Sequence, residues 1–108
     1  MKKTLLIFII LSILIVGFAS VAYAGNSHVF YLVNYTGADI YALYVSPSNS
    51  NNWGPNILSG VLYNGYQVPV TLYRYNSYWD IMIEDRYGNR VYWRNIQLNN
   101  LDRFTLYP

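Results

Sequence analysis

The chain has no cysteine, one histidine and little charge: 11% of its 108 residues are Asp, Glu, Lys or Arg. Without cysteine no disulfide can staple the fold, so packing or a bound ion must hold it. His28, the single histidine, cannot build a histidine-rich metal site or a conventional Ser-His-Asp triad, and it is expected at the surface. Lysine is confined to positions 2 and 3. Beyond residue 24 five arginines (Arg74, Arg86, Arg90, Arg94, Arg103) face five acids (Asp39, Asp80, Glu84, Asp85, Asp102), so the formal +2 belongs to the N-terminus. A neutral remainder has no electrostatic drive towards polyanions, which sets aside nucleic acid and an anionic membrane surface as partners. Helical periodicity over three turns or more is also missing after residue 24.

The first 24 residues are a different kind of sequence. Met1-Lys2-Lys3 is a positive start, Leu5 to Phe18 is almost unbroken apolar sequence, and Ala22-Tyr23-Ala24 is a small-x-small cleavage signal. This is the layout of a bacterial-type secretory signal peptide, so residues 25–108 are expected to be exported as one domain, periplasmic or extracellular. The alternative is an uncleaved single-span anchor, because Leu5 to Val21 approaches the roughly 20 apolar residues that cross a bilayer. Membrane contact is expected only through such a segment. No Cys follows the apolar run, so a lipoprotein anchor is excluded.

Aromatic side chains are abundant. Twelve of the 13 tyrosines, all three tryptophans and two of the four phenylalanines lie beyond residue 24. Each buries a large area, and Tyr can keep its hydroxyl in water. The stretch Tyr78 to Trp93 organises them. Trp79, Ile81 and Ile83 alternate with Asp80, Met82 and Glu84, the period of a strand, and Tyr87-Gly88-Asn89 tolerates the positive φ of a tight turn. On the return, Val91 and Trp93 share the apolar face, and Arg90, Tyr92 and Arg94 the polar one. The apolar set is expected to seed the core.

Other strands follow from the same signals. His28 to Tyr35 and Ile40 to Val45, joined by Thr36-Gly37-Ala38-Asp39, are expected to form a hairpin. Ser46 to Asn56 is a long loop around Trp53. Ile57 to Tyr63 and Gln67 to Tyr73, joined by Asn64-Gly65, read as a second hairpin, with Pro69 marking an edge strand or a bulge. Asn95 to Leu98 extends or kinks the strand before it, and Phe104 to Tyr107 closes the set. Six to seven short strands with frequent turns predict an all-β fold, a small antiparallel β-sandwich.

Four strings, N-x-T-G-x-x-I-x-x-L-Y-V-S-P (Asn34 to Pro47), W-G-P-N-I-L (Trp53 to Leu58), L-x-N-G (Leu62 to Gly65) and W-D-I-x-x-x-D-x-x-G (Trp79 to Gly88), resemble a group of small secreted bacterial domains of unknown function. The resemblance covers nearly all of residues 29–98. It implies an exported all-β domain and carries no activity with it. Relatives with this pattern often have acids just before the W-G; Asn51 and Asn52 stand there in this chain.

Two groups of residues are candidate sites. Trp53, with Asn51, Asn52 and Asn56 beside it, has the composition of a saccharide-binding loop, in which an aromatic face stacks on the sugar ring while amides bond its hydroxyls. Against this, Trp53 can fold inward as a plug over one end of the sandwich. Asp80, Glu84, Asp85 and Asn89 are the one cluster of oxygen ligands that would suit calcium, the only cofactor the sequence admits. Their spacing matches no calcium-loop pattern, and pairing with Arg86, Arg90 or Arg94 across the hairpin is the favoured account of them. Asp80 and Glu84 lie about 13 Å apart by strand rise, beyond the separation of a glycosidase carboxylate pair. Tyr31, Tyr35, Tyr41 and Tyr73 are expected to cover the exterior, where Tyr also serves contact surfaces. The sequence therefore predicts a non-enzymatic binding module for a saccharide or an envelope protein, the latter joined by strand addition near Pro69 or the C-terminal strand. A calcium-stabilised structural domain is the alternative.

Overall fold

Runs of Val, Ile, Leu and aromatic residues, cut by Gly, Asn and Ser clusters, give six short strands and no α-helix among residues 27–108, which the computed structural model describes. They are β1 (His28–Asn34), β2 (Ala42–Pro47), β3 (Gln67–Leu72), β4 (Trp79–Glu84), β5 (Arg90–Ile96) and β6 (Arg103–Leu106). A single 3-10 turn, Leu98–Asn100, lies between β5 and β6. The expected signal peptide lies outside the described residues.

The strands form two three-stranded sheets, β3-β1-β6 and β2-β4-β5. Their inner faces meet in one core: Phe30, Leu32, Val70, Leu72 and Leu106 from the first sheet, and Leu43, Trp79, Ile81 and Ile83 from the second. Leu98 of the 3-10 turn is fully buried among them. The fold is a small all-β sandwich, as the sequence predicts. All its pairings are antiparallel except β1 with β6, which run parallel.

The central hairpin forms as expected, with β4 and β5 paired and Asp85 to Asn89 turning the chain. Asp85 organises that turn. Its Oδ1 accepts from the N–H of Tyr87 and Asn89 at 2.8 and 2.9 Å, and Gly88 supplies the positive φ of 85°. Two details differ from the alternation. Val91 remains 49% exposed, because it stands at the open end of the sandwich beside an apolar cavity of about 200 Å³. On the other face Asp80 and Met82 are buried, because β4 is the middle strand and is flanked on both sides.

The two other expected hairpins are not formed. β1 and β2 belong to different sheets, so the 36–39 turn carries the chain across the sandwich. Asn34 explains why. Fully buried at the end of β1, its Nδ2 donates to the carbonyls of Ala38 (2.8 Å) and Leu62 (3.0 Å). Its Oδ1 accepts from the N–H and the hydroxyl of Thr36 at 3.0 and 2.7 Å. A side chain thus takes the hydrogen bonds that a hairpin ladder would otherwise supply.

The Asn64-Gly65 turn exists, with Gly65 at φ 90°. It docks on the backbone of Asn34 through Gly65 N–H to Asn34 O and Asn34 N–H to Tyr66 O. Side-chain bonds from Gly37 N–H to Asn64 and from Asn64 N–H to Asp39 tie the two turns together. Ile57 to Tyr63 is consequently no strand. Only Leu62 pairs, in an isolated bridge with Ile40.

Both edges of the first sheet and one edge of the second show how their backbone groups are used. β3 is an edge strand, as Pro69 predicts, and Pro69 stands opposite Tyr31. Tyr31 turns its own N–H towards the β6 side, donating to Asp102, so the nitrogen of Pro69 faces away from β1, where no donor is needed. On the second sheet the free side of β2 is covered: Leu43 donates to Asn56 Oδ1, and Ile57 N–H donates to Leu43 O. β6 is the other edge of the first sheet.

Candidate functional site

The site begins with a register fault. Trp79 faces Ile96 and Ile81 faces Trp93, so β5 spends one extra residue opposite Asp80. This is a β-bulge, with Asn95 at φ 59°, a left-handed conformation that Asn tolerates. The bulge aims the N–H of Asn95 at Asp80 Oδ1 (2.9 Å), which also accepts from the Ser48 hydroxyl at 2.6 Å. Asp80 Oδ2 accepts from Arg94 Nη1 at 3.1 Å. Burial works against the charged carboxylate, yet the bonds from Ser48 and Asn95 and the Arg94 charge outweigh it and hold its pKa below the usual value.

Above this carboxylate the loop after β2 folds back over the sheet. Ser48 N–H is held by Tyr78 O, and Ser50 N–H closes a turn on Pro47 O. The carbonyl of Asn52 accepts from the hydroxyls of Ser46 and Ser50, and its Oδ1 accepts from Gly54 N–H. Gly54, at φ 76°, then reverses the chain and leaves Trp53 lying along the outer face of β5. The indole packs on Tyr92 with ring centroids 6.1 Å apart. The Arg94 guanidinium lies 4.9 Å from the Tyr92 ring centre and 5.9 Å from that of Trp53. Loop and sheet enclose a polar cleft of about 110 Å³, bounded by Asn51, Asn52, Trp53, Asp80 and Arg94.

The predicted loop residues therefore divide. Trp53, Asn51 and Asn52 come together at the cleft. Trp53 is half-buried against the outer face and does not plug an end of the sandwich, because Tyr92 and Arg94 offer it an aromatic and cationic surface there. Asn56 stands apart, its Oδ1 accepting from the N–H groups of Leu43 and Leu58. It fastens the chain to β2.

The predicted oxygen cluster is dispersed. Asp80 lies in the cleft, while Glu84, Asp85 and Asn89 sit at the other end of β4. Glu84 pairs with Arg90 at 2.8 Å, a bond that raises the arginine's pKa. Asp85 Oδ2 accepts from the Asn89 amide at 2.9 Å. That bond, joined by the turn's N–H groups and opposed by slight desolvation, lowers the Asp85 carboxyl. Among the described residues no three His, Cys, Asp or Glu side chains gather in one place. His28, expected at the surface, is half-buried and donates from Nε2 to Leu101 O.

Tyr92, Arg94, Ser48 and Asn95 complete the site, and sequence reasoning did not assign them to it. Arg94 and Tyr92 carried a signal, since both fall on the polar face of the hairpin with Asp80. The kink expected from Asn95 onward is the bulge that brings its N–H to the carboxylate, though the alternation did not show that Asp80 would receive it. Compared with known protein families, curated proteins and solved structures, the chain matches none.

Proposed function

We propose that this chain is an exported, non-enzymatic binding module that holds a saccharide against Trp53 and Tyr92. The observation that carries the reading is the juxtaposition of a half-exposed aromatic pair with a polar cleft. The apolar face of a sugar ring can cover the two rings while its hydroxyls reach the Asn51 and Asn52 side of the loop. Fixing that loop in advance through Ser46, Ser50 and Gly54 lowers the ordering cost of binding. Export rests on the N-terminal layout and agrees with the motif resemblance to small secreted bacterial domains. The non-enzymatic reading rests on a composition of one histidine and no cysteine.

Co-sedimentation with purified cell wall and a panel of insoluble polysaccharides tests it. The protein is expected to pellet with at least one of them, and Trp53→Ala to remain in solution while keeping its far-UV spectrum. Protein left in the supernatant in every tube would remove saccharide from the reading.

A second reading is favoured by β6. Tyr35 N–H bonds Leu106 O and Tyr31 N–H bonds Asp102 O, so Arg103 and Thr105 between them turn their backbone groups outward. Such an edge suits an extended segment of an envelope protein. A Thr105→Pro variant that loses capture of that partner while still pelleting with polysaccharide would assign the two activities to separate faces.

A further inference from the structure

Arg94 has donors to spare. Among the described residues its side chain donates one hydrogen bond, from Nη1 to Asp80 Oδ2. The arginine side chain is 55% exposed, whereas that of Asp80 is 10% exposed. The ion pair is therefore oriented, with its negative end sealed beneath the loop and its positive end turned to solvent. Ser48 and Asn95 occupy the other carboxylate oxygen, which fixes Asp80 and hence the anchor of Arg94. Tyr92 and Trp53 lie close to the guanidinium and restrict its movement further. The Nε and Nη2 edge is left without a protein partner among the described residues.

A planar edge with two parallel N–H donors fits a carboxylate in bidentate fashion, which a lysine cannot do. No acid other than Asp80 lines the cleft to repel such a group. The other charges on the outer face of the β4–β5 ladder, Glu84 and Arg90, pair with each other. Building on the saccharide reading above, we propose that the ligand is an acidic sugar. Its ring covers Trp53 and Tyr92, and its carboxylate takes the free edge of Arg94. The neutral balance beyond residue 24 gives no long-range attraction to a polyanion, so selection for charge is made locally by one arginine.

The test compares retention of the purified protein on immobilised polygalacturonate and alginate with retention on the same polymers after methyl esterification. Esterification keeps the ring and removes the charge. Retention on an acidic polymer is expected to exceed that on its ester by on the order of tenfold, the scale of one charge-assisted contact. Arg94→Gln should abolish the difference. Arg94→Lys keeps the charge and its attraction to Asp80 but lacks the planar edge, and should lose most of the preference at an unchanged melting temperature.

Equal retention on acid and ester overturns the acidic ligand and leaves the saccharide reading standing. The acidic ligand is also overturned if Arg94→Lys keeps the full preference, or if only neutral polysaccharides bind. Absence of retention on all of these, cell wall included, removes both proposals together.

Discussion

Replacing Asn34 by Ala tests how the two sheets are joined. The wild-type side chain makes four hydrogen bonds, two donated to Ala38 O and Leu62 O and two accepted from Thr36. Leu62 O keeps a second donor, the N–H of Ile40, and part of the Thr36 and Ala38 surface can turn to water. Counting about 1 kcal/mol for each bond and allowing for that recovery, the loss should be about 2–3 kcal/mol. For a domain of this size each kcal/mol moves the melting temperature by about 4–8 °C, so the transition should fall by roughly 10–20 °C. Asn34→Asp gives an internal check. The carboxylate keeps the acceptors for Thr36 but faces two carbonyl oxygens, so its folded-state pKa must rise above the unfolded value of about 3.9. A raised acid binds its proton more tightly in the folded state, and stability falls as pH rises through the interval between the two values. At pH 7 the order should be wild type, then Asn34→Ala, then Asn34→Asp. Towards about pH 3 Asn34→Asp should recover past Asn34→Ala, because the protonated acid keeps the Thr36 bonds and donates to one carbonyl. Urea unfolding followed by circular dichroism measures all three. A loss below about 0.5 kcal/mol for Asn34→Ala, or an Asn34→Asp curve parallel to wild type across this range, would refute the account.

Three further perturbations have defined outcomes. Asp80 has a lowered pKa, so its stabilisation is fully present above the unfolded value of about 3.9 and is lost as pH falls through the folded value. The urea midpoint of wild type should drop more steeply in acid than that of Asp80→Asn. Asp85→Asn should lower the melting temperature to the same extent in calcium and in chelator, because the carboxylate serves the turn's own N–H groups and the Asn89 amide; protection of wild type alone by calcium would restore an ion to that turn. Gly65→Ala should cost about 1 kcal/mol through backbone strain at φ 90°, since nothing lies within 4 Å of an added Cβ; a neutral result in thermal melts would show that the turn relaxes.

Apart from Ile57 to Tyr63, the strands were legible because their pattern is local, whereas most of their partners were not. Alternation from Trp79 to Ile83 and the Gly88 turn specify β4 and β5 without reference to the rest of the chain. Thr36 to Asp39 has equally good turn chemistry and still does not make a hairpin, because the outcome depends on Asn34 meeting Leu62, 28 positions away. Pro69 announced an edge correctly, since a missing donor is a property of the residue itself. Trp53, Asn51 and Asn52 could be singled out by composition. Arg94 could be paired with the hairpin's acids by register, but not joined to Trp53, because the path of the loop over β5 leaves no trace in residue types. Asn56 shows the converse: it resembles its neighbours in composition, and only the path of the chain beside β2 makes it a fastener.

The two borders of the β3-β1-β6 sheet differ in a way that limits assembly. At β3 the proline nitrogen offers nothing to an incoming backbone, while β6 keeps outward N–H and C=O groups at Arg103 and Thr105. Growth through this sheet is thus favoured at β6, since Pro69 interrupts the outward donors of β3 between Gln67 and Thr71. It can take up a single guest strand, or two copies can join β6 to β6 about a twofold axis. Joining β6 to β6 uses up both open borders and leaves a proline border on each outside, which disfavours further growth of this sheet towards a fibre.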